Sequence, residues 1–123
     1  MQFKSPKNTE KYDWTQHAVI KMKQYGLTAQ RILRVVKNPQ RTEEGIVKNT
    51  IAVMQPASLR TKDGKRTWSQ EIWAMYQIKR KAKSEKLKNF GQQRIRIISA
   101  WRYPGVSPKR DPIPEEILRE LNL

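Results

Sequence analysis

The apolar positions change period along the chain, and each change marks a predicted element. After an aperiodic polar opening at residues 1–12, read as a frayed arm, the segment WTQHAVIKMKQYG places Ala18, Val19, Met22 and Tyr25 at i, i+1, i+4 and i+7. That spacing predicts one face of a helix. Asp13 stands where an N-cap is needed, and Gly26 supplies the left-handed residue that ends the helix. Thr28 then caps a second predicted helix, AQRILRVVKNP, in which Ile32, Leu33, Val35 and Val36 are apolar. Asn38-Pro39 ends it, because the residue before a proline avoids the helical region. Two short helices joined by Gly-Leu-Thr form a hairpin whose apolar faces need a third surface to cover them.

The pattern that follows is strand-like and supplies that surface. Ile46–Met54 is rich in β-formers and closes at Pro56, and Asp63-Gly64 is a turn signal between two strand-like runs. In TWSQEIWAMYQIK, Trp68, Ile72, Ala74, Tyr76 and Ile78 fall on one side, while Ser69, Glu71, Trp73, Met75 and Gln77 fall on the other. Trp68 and Trp73 are thereby assigned to opposite faces. A further strand reads RIRIISAWRY, with Ile95, Ile97, Ser99, Trp101 and Tyr103 on one side and Arg94, Arg96, Ile98, Ala100 and Arg102 on the other. Pro104-Gly105 breaks it. PKRDPIP is a connector, and Pro114-Glu115-Glu116 opens a short C-terminal helix, EEILREL, with acids in its first turn. The order predicts a single α+β domain over residues 13–123. Two N-terminal helices pack on one face of a curved antiparallel sheet of about three to four strands.

Composition narrows what such a domain does. At 123 residues and 37% hydrophobic, the chain can build one small core. It has no cysteine, so disulfides and thiolate metal sites are excluded, and its single histidine, His17, cannot build a multi-histidine metal site. No cofactor or metal is expected. No apolar run approaches the roughly 20 residues of a membrane span, and the N-terminus lacks the apolar stretch of a secretory signal, so a cytoplasmic location is the expectation.

Charge changes the picture most. Lys and Arg number 26 against 11 Asp and Glu, a net charge of +15. The excess is uneven: residues 79–96 carry a net +7, with Lys79, Arg80, Lys81, Lys83, Lys86, Lys88, Arg94 and Arg96 opposed by Glu85 alone. A cluster of this kind neutralises phosphates and draws affinity from counterion release. The last predicted strand interleaves Arg94, Arg96 and Arg102 with Trp101 and Tyr103. Guanidinium forks grip phosphate and aromatic faces stack exposed bases, so the mixture points to single-stranded or looped RNA. The plain alternatives are a solvated loop for the lysines and core packing for Trp101 and Tyr103.

Most catalytic templates are absent: there is no Walker loop, no GxSxG and no HExxH. The adjacent acids Glu43 and Glu44 would point to opposite sides of a strand. Metal-independent RNA cleavage survives. It needs a base for the 2′-hydroxyl, cations for the phosphorane charge and an acid for the leaving oxygen. His17 fits base or acid, Lys21 one turn on fits phosphate, Arg94, Arg96 and Arg102 fit the clamp, and Tyr103 fits the proton donor. The competing role for His17 is to cap or pack its helix.

His17-Ala18, Met22, Tyr25-Gly26-Leu27-Thr28 and ILRVVKNP together resemble the H-A-x-x-[RK]-M-x-x-[RY]-G-[IL]-[ST] … V-x-x-x-[IL]-x-x-P opening of the DUF4258 family of small bacterial, archaeal and phage proteins. IISAWRYP is similar to that family's closing strand, and the resemblance spans roughly residues 13–104. It implies the superfold of RelE-like toxins and barnase-like RNases, with RNA bound on the sheet and with His17 and the basic residue one turn on as the positions to suspect. Lys21 stands where many members have arginine, and Tyr25 where arginine is common. The leading expectation is therefore a toxin-like RNA-binding protein with metal-independent endoribonuclease activity. The rivals are a non-catalytic nucleic-acid-binding module and a basic partner of an acidic, antitoxin-like protein.

Overall fold

A computed structural model describes residues 3–80 and 93–121. Strand β1 (Tyr12–Trp14) leads directly into helix α1 (Gln16–Tyr25), followed by α2 (Ala29–Lys37). Strands β2 (Arg41–Glu44), β3 (Ile51–Pro56), β4 (Arg60–Lys62), β5 (Lys65–Thr67), β6 (Gln70–Arg80) and β7 (Gln93–Pro104) come next, and α3 (Glu115–Glu120) closes the described chain. The main sheet has the order β1-β7-β6-β3-β2, while β4 and β5 form a separate two-stranded ribbon. All neighbours in the main sheet are antiparallel except β1, which runs parallel to β7 with Tyr12, Asp13 and Trp14 opposite Ile95, Arg96 and Ile97.

The α+β class is as the sequence predicts, but the layering differs. Ala18, Met22, Leu27, Ile32 and Val35 from the helical hairpin pack on Val53, Ile72, Ala74, Ile97 and Ala100 of the sheet. The opposite face is also covered: Val47, Ala52, Met54, Trp73, Met75 and Trp101 pack with Ile113 and Ile117 from the C-terminal segment. The sheet is thus mixed, with five strands, and it is enclosed from both sides where helices on one face were expected.

Local chemistry explains most boundaries. Thr15, not Asp13, caps α1: its Oγ1 accepts from the Ala18 amide at 3.1 Å. Asp13 belongs instead to the short strand before it. Gly26 has φ 67° and ψ 40°, and its amide and that of Leu27 satisfy carbonyls of the last turn of α1. Thr28 caps α2 through the Arg31 amide at 3.1 Å. Residues 46–50, predicted as strand, form the turn between β2 and β3, with Gly45 and Asn49 at positive φ and the Thr50 hydroxyl donating to the Val47 carbonyl at 2.7 Å. Among the described residues of the polar opening there is no helix or strand before Tyr12, yet the segment is tied down. Phe3 packs on the helix-side core, and Asn8 and Thr9 accept from the amides of Trp14 and Tyr12.

A bulge sets the faces of β7. Met75 lies opposite Ser99 but Tyr76 lies opposite Ile97, which leaves Ile98 as the extra residue. Ile97 and Ala100 therefore share the helix-side core although their parity differs, and Ile98 joins Trp101 and Tyr103 on the other face. Strand β6 keeps the predicted alternation. Trp68 precedes it and packs with Trp73 on one side of the sheet, so the assignment of these two tryptophans to opposite faces is corrected.

Candidate nucleic-acid interface

Of the proposed catalytic residues, His17 and Lys21 share α1, and Arg94, Arg96 and Tyr103 share β7. The first two lie one turn apart on α1, which runs beside β7 beyond the end of β1. The Thr15 amide donates to the Ile97 carbonyl at 3.0 Å and the Thr15 hydroxyl to the Ile98 carbonyl at 3.2 Å, which docks the helix start on that strand. This brings His17 Nε2 to 3.0 Å from the Ser99 hydroxyl, which is itself buried. Burial lowers the His17 pKa below its ordinary value, Glu120 opposes that shift, and the Lys21 charge adds to it. The imidazole is therefore neutral at pH 7.

Lys21 is not placed to meet a phosphate. It is only 1% exposed, and its ammonium donates to Gln24 at 2.9 Å and to Glu116 at 3.0 Å while also pairing with Glu120. Burial acts to lower its pKa, but the hydrogen bonds and charges of the two glutamates outweigh it and leave the ammonium held above the usual lysine value. Nothing near Lys21 in the chain signals this, because α3, which brings both carboxylates, lies far from α1 in sequence.

The arginines occupy other places. Arg96 pairs with Asp13 at 3.1 Å, and Arg94 lies 3.8 Å from the same carboxylate and donates to the Glu10 carbonyl at 3.0 Å. Both help fasten β1 to β7. Arg102 donates to the Tyr25 carbonyl at 2.7 Å, to the Gly26 carbonyl at 3.4 Å and to Gln70 at 2.9 Å, covering the C-terminal end of α1. Arg94 and Tyr103 sit near opposite ends of a 12-residue strand, about 30 Å apart at the usual rise. His17, Lys21, Arg94, Arg96 and Tyr103 therefore do not converge on one concave surface.

The aromatic residues resolve in favour of packing. Trp101 is 0% exposed, stacks on Trp73 with centroids 5.9 Å apart and planes 7° from parallel, and donates to the Pro112 carbonyl at 3.0 Å. It offers no face to a base, which corrects the stacking role expected of it. Tyr103 is half-buried against the same cluster. With Trp73, Met75 and Trp101 all at 0% exposure, the centre of the sheet is closed to RNA, and any polyanion has to meet its ends and rims.

Most of the described lysines and arginines are exposed. Lys79 lines an open cavity of about 680 Å³ with Glu44, Asn49, Thr50 and Gln77, Arg80 ends β6, and Lys81, Lys83, Lys86 and Lys88 lie outside the described residues. Among the described residues, the cations in ion pairs are Lys21, Arg41, Arg94 and Arg96. A second basic group was not singled out from the sequence: Arg60, Lys62, Lys65 and Arg66 of the β4–β5 ribbon, all exposed, with Asp63 as the one acid in that span. Its signal was present in the run RTKDGKRT, whose charged residues leave nothing to bury. Among the described residues no helix is long and apolar enough to cross a membrane, and no group of three or more His, Asp or Glu is placed to hold a metal. No family model matches this chain, and neither a curated protein nor a solved structure matches it.

Proposed function

We propose that this protein binds RNA, with the contact made by cations crowded at the ends of its long strands. The observation that carries this reading is the imbalance itself. The chain has a net charge of +15, and only four of the described lysines and arginines are held by its own carboxylates. A surplus of this size opposes compaction through self-repulsion and favours a polyanionic partner. Fluorescence anisotropy of a labelled single-stranded RNA across a salt series tests it. The logarithm of affinity should fall steeply and linearly with the logarithm of salt. Absence of binding at low salt, or tighter association with an acidic protein than with RNA, would overturn the proposal.

One observation favours a toxin-like endoribonuclease as the second reading. His17 is neutral at pH 7 and its Nε2 is hydrogen-bonded to Ser99, a protonation state suited to a general base. In that reading, total RNA is degraded in the presence of a chelator and His17→Ala abolishes the cleavage while leaving RNA affinity nearly intact. Intact RNA with the wild-type protein removes it.

A further inference from the structure

Residues 57–69 leave the main sheet between the end of β3 and the start of β6. The Ala57 amide donates to the Gln70 carbonyl at 2.9 Å, which closes the base of this excursion. Within it, Arg60, Thr61 and Lys62 pair with Thr67, Arg66 and Lys65, and the turn uses Asp63 and Gly64 at φ 54° and 78°. Every residue of both strands is exposed. No apolar face holds this ribbon against the core, so packing does not account for its composition of four cations to one acid.

The root of the ribbon is cationic as well. Arg31 donates to the Pro56 carbonyl at 3.1 Å, and Arg102 donates to Gln70 at 2.9 Å, so a guanidinium stands at each strand from which the ribbon departs. Arg34, exposed on α2, lies close enough to Arg31 for the two charges to repel, and Arg102 repels Arg31 in the same way. Among the described residues none of these three, and none of the four ribbon cations, forms an ion pair with a carboxylate. Gln70 and Arg80 bound the 11 residues of β6, so this cluster lies about 30 Å from Lys79 and Arg80 at the other end of the strand.

We propose that the β4–β5 ribbon, with Arg31, Arg34 and Arg102 at its root, is a second phosphate-binding surface that grips the backbone of an RNA chain. This rests on the RNA-binding reading above and locates one contact within it. The ribbon buries no side chain against the core, and its four cations are carried on a two-stranded scaffold held by the β4–β5 pairing.

The test uses the full chain and a single-stranded RNA oligonucleotide, comparing wild type with the variant Arg60→Gln/Lys62→Gln/Lys65→Gln/Arg66→Gln. These side chains bury nothing, so circular dichroism and thermal midpoint should not change. At a slope of about −0.7 per phosphate contact, loss of four contacts makes the salt dependence shallower by about 3. Between about 50 and 200 mM salt the wild type then loses about 50-fold more affinity than the variant. Lys109→Gln/Arg119→Gln, which removes exposed cations beside α3, should change the slope by less than half as much. If the wild type binds RNA and the ribbon variant keeps its affinity and slope, the second surface is refuted while the RNA-binding reading stands. If the wild type does not bind RNA, both fall. Ribbon-dependent binding of duplex DNA in preference to RNA would overturn the assignment of the ligand.

Discussion

Removing the Glu71 carboxylate should unfold this protein more readily than any other single change of a charged residue. Glu71 is 0% exposed on β6. One oxygen accepts from the Trp73 indole at 2.9 Å and from the Ser107 hydroxyl at 2.6 Å, and the other accepts from the Trp68 indole at 2.9 Å. Arg41 lies 3.8 Å away, stacks on Trp73 at 5.1 Å, and donates to the Ser107 carbonyl at 2.8 Å. The carboxylate therefore joins β2, β6 and the segment leading to α3, and Glu71→Ala leaves two buried donors and the half-buried Trp68 indole without this acceptor, beside a partly buried guanidinium. Breaking a buried charged network by removing one partner costs about 3–5 kcal/mol. Stability for a domain of this kind is about 5–15 kcal/mol, so the loss is a large fraction of the whole. Glu71→Gln keeps the shape and one acceptor and should fall between the two. Urea unfolding followed by tryptophan fluorescence measures both, and an unchanged m-value shows that the comparison is of stability alone. A cost below about 1 kcal/mol for Glu71→Ala would refute the reasoning, because hydrogen bonds to a charged group are each worth more than that.

Three other outcomes follow from the structure. Lys21→Met should stay within about 1 kcal/mol of wild type, since an apolar chain of similar volume fits the site and Glu116 and Glu120 can turn to water; Glu116→Ala/Glu120→Ala should cost more, because it strands a buried ammonium, and equal denaturation midpoints for the two variants would contradict this. The folded His17 pKa is lowered, so between that value and 6.5 the unfolded chain binds more protons; stability should fall as pH drops through 6.5, and His17→Gln should flatten that part of the profile while leaving the loss below 4.5, to which Glu43 and Glu116 contribute, in place. Gly26→Ala should lower stability by about 1–2 kcal/mol by forcing a side chain into the left-handed region, read from the shift in thermal midpoint.

Elements that carry their own punctuation were legible in the sequence. Gly26 and Thr28 mark the break between α1 and α2, and the Glu71 to Ile78 alternation gives the faces of β6. What escaped depends on partners distant in the chain. Strand β1 is three residues long and exists because β7 pairs with it. Strand β2, RTEE, is a charged edge strand with no apolar alternation to announce it. The bulge at Ile98 falls in an apolar run without glycine or proline, so alternation carried through it assigns the wrong parity to half of the strand. The candidate site suffers from the same limit. Lys21 reads as a helix-surface cation until α3 brings Glu116 and Glu120 onto it, and Trp101 reads as an exposed platform until Trp73 and Pro112 enclose it.

The parallel pairing of β1 with β7 has a consequence for how the molecule is made. Asp13 and Arg96 meet across 83 residues of sequence, and the Ile95 amide binds the Lys11 carbonyl at 2.8 Å. During synthesis β1 is thus made about 80 residues before the strand it pairs with. The helical hairpin can coil early, but its docking strand β7 is made much later, and closing so long a loop is slow. Until then a strongly basic, half-assembled sheet stands open beside the phosphate of the ribosome that makes it.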